Sequence, residues 1–361
     1  MEGVRSERTR SAIPTGDRRF MFITPRPQAD DAPRPRRKQR PCGFGARPLR
    51  SGLSAVEVVV VVAILLIAAL FLLMSLPRQR EQARSASCRN NLRLIGVALL
   101  QYDQRVGCLP TIAGLGAESP IDGVRATKDR PPGPLAMLLQ ELGLPDLTGI
   151  DDPETPPKGK GEPGGMPAER VIAGFVCPSD SNATGGLFPA PVSYRATTGA
   201  TPDGRGGAFE VGRRLSLKQV EAGDGQSYTV GFAERLVGDP KSVRLGVEGY
   251  IEVPGSVGEE GCAGADITSP RSDAGGSWLV ADWRSTLYNH VLTPGSIPSC
   301  IARDGRSAAP AASSGHLVGT NALVLDGSVR TFTPSVDRRI WRAWSTVDEE
   351  SARGPALVPD P

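Results

Sequence analysis

Residues 58–74 form an apolar run without one polar side chain, and the wider stretch 53–76 is interrupted only by Ser54, Glu57 and Ser75. A helix rises about 1.5 Å per residue, so roughly 20 apolar residues cross a hydrocarbon core about 30 Å thick. The stretch therefore predicts one membrane-spanning helix. It is too long for a secretory h-region, and no small-residue cleavage site follows it. Pro77 should kink or reset this helix without ending it. Beyond it Cys88, Leu92, Ile95, Leu99, Tyr102 and Val106 recur at steps of three and four, the apolar stripe of an amphipathic helix. Gly107 and Pro110 close the element.

The rest of the chain changes pattern every few residues. "GPLAMLLQELGLPDL" predicts a short helix with Leu135, Leu138, Leu139 and Leu142 on one face, and "DDPETPPKGKGEPGGMP" a linker or surface loop. "RVIAGFVCPSD" reads as a buried strand ending in Cys177-Pro178-Ser179-Asp180, and "VSYRATTGATPDGRGGAF" as a strand and a turn with Asp203-Gly204 at its tip. "LSLKQVEAGDGQSYTVGFAERLVG" predicts a short helix, a turn at Asp224-Gly225 and a strand from Ser227 to Glu234. "TNALVLDGSVRTFTPS" is two strands joined by Asp326-Gly327, a strong hairpin signal. A last helix in "SVDRRIWRAWSTV" is expected to be capped by Ser335 and to turn Ile340, Trp341 and Trp344 inward.

Composition agrees with a loop-rich fold: 43 Gly and 33 Pro in 361 residues exceed the usual share of about 12%. The net charge of +3 conceals an asymmetry, because residues 1–52 hold 13 Lys+Arg against 5 Asp+Glu and the remainder is net acidic. The body therefore offers no nucleic-acid surface. Arg34, Arg36, Arg37, Lys38, Arg40, Arg47 and Arg50 before the apolar run favour a cytoplasmic N-terminus, and hence a head outside the cytoplasmic membrane.

A plain anchor leaves Glu57 unexplained, since a carboxylate at the edge of hydrocarbon costs a few kcal/mol unless it snorkels or finds a partner. Gly52 ends the basic leader, Leu53 follows, and Glu57 is the fifth residue after Gly52. Here the chain resembles the type IV prepilin family, although Leu53 stands where Phe or Met is usual. The resemblance implies cleavage between Gly52 and Leu53 by a prepilin peptidase. It also implies that Glu57 pairs with the new α-amino group of a neighbouring subunit, so that two buried charges compensate each other.

Further landmarks extend the likeness: "CRNNLRLIGVALLQY" with Cys88, Asn90, Asn91 and Leu92, and "FVCPSD" with Cys177 and Pro178. Asp224, Gly225, Ser227, Thr229 and Glu234 follow, then His316 with Asp326-Gly327 ten residues on. In these the body is similar to prepilin-like proteins with a DUF1559 domain. The combined resemblance implies an α+β protein: a long N-terminal membrane-spanning helix packed on an antiparallel-sheet, loop-rich head. Its segments would be a leader at 1–52, the helix at 53–107 and an extracytoplasmic head at 108–361.

The implied function is that of a pseudopilin-like structural subunit in a type II secretion or type IV pilus-like assembly, not an enzyme. Its partners would be the peptidase, other pilin-like subunits and the cytoplasmic membrane. The alternative is an uncleaved, single-pass, membrane-anchored extracytoplasmic binding protein.

Candidate chemistry in the head is sparse. His316, Asp326 and Ser314 or Ser328 could be drawn as a hydrolytic triad, but no G-x-S-x-G elbow is present, and Asp-Gly at a hairpin tip is explained by turn geometry. A structural role is expected for His316, bonding a loop to the hairpin. His290, Cys300, His316 and another cysteine could be drawn as a metal site but follow no zinc spacing, and Asp203, Asp224 and Asp304 lie in Asp-Gly turns without an EF-hand run. No cofactor is expected, with calcium the runner-up. Of the cysteines, Cys42 would leave with the leader. Cys88 and Cys108 on one continuous helix lie about 30 Å apart, beyond disulfide reach. Cys177, Cys262 and Cys300 are left as the likelier partners, Cys262–Cys300 foremost.

Overall fold

The computed structural model describes residues 54–112, 114–115, 131–144, 170–264 and 270–348, with the backbone alone described for 72–78. The basic leader, Gly52, Leu53 and the linker at 151–167 lie outside the described residues. The chain divides into two units, residues 1–62 and 63–361. In the first, Ser54 opens helix α1 (Ala55–Val106). The Ser54 N–H donates to Glu57 Oε2 at 2.8 Å, and the Glu57 N–H donates to Ser54 Oγ at 3.3 Å. This reciprocal pair is a capping box, which satisfies two backbone donors that a helix start leaves without partners.

In the second unit the predicted stripe is buried: Cys88, Leu92, Ile95, Leu99 and Tyr102 join the main core together with Ala98. Val106 is exposed. Gly96 lets the helix approach the sheet, since a Cβ there would stand 2.9 Å from Leu323 Cδ1. The helix runs through Pro77 and ends at Val106, as the pattern predicts.

Two expectations about this architecture are corrected. Among the described residues no helix is long and apolar enough to cross a membrane. The head also holds two mixed sheets in place of an antiparallel one.

The larger sheet has the order β5-β1-β2-β8-β9 and the smaller β4-β3-β6-β7. In the larger, β1 (Tyr194–Thr197) lies antiparallel to β2 (Val230–Glu234) and parallel to β5 (Leu287–Tyr288). β2 then pairs with β8 (Thr320–Val324), and β8 with β9 (Val329–Phe332). In the smaller, β3 (Tyr250–Val253) runs parallel to β6 (Cys300–Ala302), with β4 (Pro270–Arg271) and β7 (Ala308–Ala309) outside them. Each parallel pair joins strands separated by a long connection, as parallel pairing requires. No local signal marks such partners.

Four short helices complete the described elements: α2 (Pro134–Met137), α3 (Ser181–Thr184), α4 (Leu217–Ala222) and α5 (Arg338–Ala343). Leu135, Leu138 and Leu139 are buried as predicted, although α2 itself is a single turn. The expected strand before Cys177 is instead a 3₁₀ turn at Ala173–Phe175. The cap of α5 is Asp337, accepting from the Arg339 and Ile340 N–H groups, and not Ser335. Trp341 is buried while Ile340 points to solvent.

Candidate functional site

The Cys88–Cys177 disulfide ties α1 to the segment before α3. Asn91, one turn further along α1, donates to the Val176 carbonyl at 3.2 Å and to the Tyr194 hydroxyl at 3.3 Å. The "CRNNL" and "FVCPSD" segments are thus one joint between the helix and the sheet. Asp180 completes it by capping α3 and accepting from Ser193 Oγ and the Val237 N–H.

His316 is brought onto this joint by the loop before β8. Gly315 presses against the Ser179 carbonyl so closely that a Cβ would lie 2.3 Å from its oxygen, so no side chain fits there. The imidazole then bridges two carboxylates. Nδ1 lies 2.6 Å from Glu81 Oε1 on α1, and Nε2 lies 3.4 Å from Glu234 Oε1 on β2 and 3.4 Å from Cys177 Sγ. Burial alone would lower the His316 pKa, but the hydrogen bonds and charges of Glu234 and Glu81 outweigh it and hold the value above the ordinary histidine range.

Both carboxylates are themselves held. Glu81 accepts from Ser179 Oγ at 3.2 and 3.3 Å and faces Arg84 at 3.7 Å. Glu234 accepts from the Asn321 N–H and from Asn321 Nδ2, both at 2.9 Å, and Thr331 Oγ1 donates to Asn321 Oδ1 at 2.7 Å.

The other singled-out residues stand apart from this cluster. Asp326 caps the β8–β9 turn by accepting from the Ser328 N–H at 2.8 Å, and Gly327 takes a positive φ of 86°. Burial would raise the Asp326 carboxyl, but the hydrogen bonds from Ser328 and Ser227 and the charge of Arg330 hold it below its usual value. Ser314 Oγ accepts from the His316 backbone N–H, and the ring faces carboxylates and sulfur instead. No hydrolytic triad is assembled from His316, Ser314 and Asp326.

Asp224 pins the C-terminal segment by accepting from Thr346 Oγ1 at 2.7 Å, and Gly225 supplies a φ of 91° for the following 3₁₀ turn. Asp203 pairs with Arg205, and Asp304 accepts from the Arg306 N–H. The three acidic turns are thus engaged separately. The second disulfide, Cys262–Cys300, is the pairing the sequence favours. Cys108 is the free thiol among the described residues.

Sequence reasoning missed two participants in this cluster and one cap outside it. Glu81 lies among the charged residues that follow the apolar run, where nothing distinguishes it from Arg80 or Arg84. Asn321 reads as one polar position in a strand. The Ser54–Glu57 capping box carried a legible S-x-x-E signal, but Glu57 was read for its charge alone.

The sequence profile of a family described as a protein of unknown function (DUF1559) matches residues 77–339. No curated protein and no solved structure matches the chain.

Proposed function

We propose that this chain, which belongs to the DUF1559 family, is a structural subunit of a type II secretion or type IV pilus-like assembly, processed between Gly52 and Leu53. The observation that carries the reading is the start of α1. Val56, Val59, Leu65 and Phe71 are among its exposed apolar side chains, at 71, 66, 62 and 69%. An apolar helix surface of this extent needs a cover, and the matching surfaces of neighbouring subunits provide one of the same chemistry.

Glu57 fits that reading. It lies at the N-terminal end of the surface, and cleavage after Gly52 leaves Ser54 and Glu57 together in the mature chain. The capping box survives processing, and the carboxylate remains in the mature chain to pair with the α-amino group of a neighbouring subunit. Two disulfides in the head support its placement on the extracytoplasmic side, where such bonds persist. The reading assigns no turnover to the chain; its work is packing.

The test is mass spectrometry and N-terminal sequencing after co-expression with a prepilin peptidase. A mature chain beginning at Leu53 with a methylated α-amine is expected, and Gly52→Ala should abolish it. An unprocessed start that ignores Gly52→Ala overturns the proposal and favours an uncleaved binding protein.

A further inference from the structure

We propose that Cys88, Cys177, His316 and Glu234 form a zinc-class divalent metal site that becomes available when a thiol reductant opens the Cys88–Cys177 disulfide. The donor atoms of these four residues lie within 4.8 Å of one another. Zinc bonds of 2.0–2.3 Å to nitrogen, oxygen and thiolate put tetrahedral donor-to-donor edges at roughly 3.3–3.8 Å. The cluster is already near that shape. Cys177 Sγ to His316 Nε2 is 3.4 Å, His316 Nε2 to Glu234 Oε1 is 3.4 Å, and Cys177 Sγ to Glu234 Oε1 is 4.0 Å. Opening the disulfide lets Cys88 Sγ move away from Cys177 Sγ to complete the fourth corner.

The surroundings are those of a metal site. A histidine ligand commonly donates its other ring N–H to a carboxylate, which fixes the tautomer and the ring plane. Glu81 Oε1 stands 2.6 Å from His316 Nδ1, leaving Nε2 to face the sulfur and Glu234. Asn321 holds both oxygens of Glu234, and Thr331 holds Asn321. Ser179 and Arg84 steady Glu81 in turn. Cys88, Cys177 and Glu234 are buried, and the His316 side chain is only 4% exposed, so the set is shielded from water. A loop histidine that merely plugs a gap needs no such two-layered support.

The step balances. A dithiol attacks the Cys88–Cys177 bond through a mixed disulfide; its two sulfurs join in a new disulfide, its two electrons pass to the protein sulfurs, and its two protons end on Cys88 and Cys177. Zinc then displaces both thiol protons to solvent and takes the lone pair of the deprotonated His316 Nε2. The joint between α1 and the head would thereby exchange a covalent link for a metal link without losing the connection.

The test uses the full-length chain, reduced with a phosphine, which holds zinc poorly, and titrated with zinc against a chromophoric chelator. One zinc per reduced chain is expected, bound at least 100-fold tighter than by the oxidised chain. His316→Gln and Glu234→Gln should each weaken binding at least tenfold, and Glu81→Gln by roughly 10-fold or more through lost orientation. With cobalt(II) in place of zinc, thiolate-to-cobalt charge-transfer bands should appear, vanish in Cys177→Ser and persist in Cys262→Ser. Binding no tighter after reduction overturns the inference. So does tight binding that survives His316→Gln, or a reduced chain that circular dichroism shows unfolded with zinc present.

Discussion

His290 shows what a single buried residue contributes at the scale of its own contacts. It is fully buried and stacks on Trp341 with ring centroids 3.6 Å apart. Its Nδ1 donates to the Trp341 carbonyl at 2.6 Å, which leaves Nε2 to accept from the Tyr288 hydroxyl at 2.9 Å. Burial pushes its pKa down to about 3, against the smaller opposing pull of the Trp341 carbonyl. The unfolded chain therefore binds a proton near pH 6.5 that the folded chain refuses until about pH 3. Stability from this residue is complete above pH 6.5 and falls by roughly 1.4 kcal/mol per unit as pH drops through that window. Urea unfolding of wild type and His290→Gln across the window should give a steeper acid slope for wild type; equal slopes would contradict the assignment. The environment of His316 differs entirely, and neither residue's setting is visible in the sequence, where both are isolated histidines.

At the scale of the element, the start of α1 concentrates two roles on Glu57. As the N3 partner of Ser54 its side chain closes the capping box, a contribution of about 1 kcal/mol to the helix start. As a carboxylate it would supply, on the proposed assembly reading, the charge for subunit pairing. Glu57→Gln separates the two, because glutamine also serves in a capping box. Assembly that fails in Glu57→Gln, with helix content by circular dichroism unchanged, is the expected result. Failure confined to Glu57→Ala would reduce Glu57 to a cap. The helix shows how much periodicity can carry: the stripe from Cys88 to Tyr102 was legible because its apolar positions repeat without a break. The Cys177 segment was not, because "VIAGFV" suits a strand and a 3₁₀ turn equally, and only the neighbouring Asn91 and Ser193 contacts decide between them.

Across the whole molecule the two disulfides anchor different parts of the head. Cys88–Cys177 closes 89 residues and lies in the main core; Cys262–Cys300 closes 38 and belongs to a smaller core cluster with Ile251, Val291 and Ala309. On the chain-entropy argument each removal costs about 4–5 kcal/mol, the longer loop more. Denaturant midpoints should therefore order as wild type, then Cys262→Ala/Cys300→Ala, then Cys88→Ala/Cys177→Ala, and a reversed order would show that strain or residual structure governs instead.

The sequence alone determined the long helix, its buried stripe and the β8–β9 hairpin, and it favoured the Cys262–Cys300 pairing over the others it left open. The first three are encoded locally, by periodicity and by Asp-Gly turn chemistry. Tertiary structure alone decided the two mixed sheets and the meeting of Glu81, Cys88, Cys177, Glu234 and His316. Those residues come from four distant stretches, and no pattern within any one stretch states which others it will face.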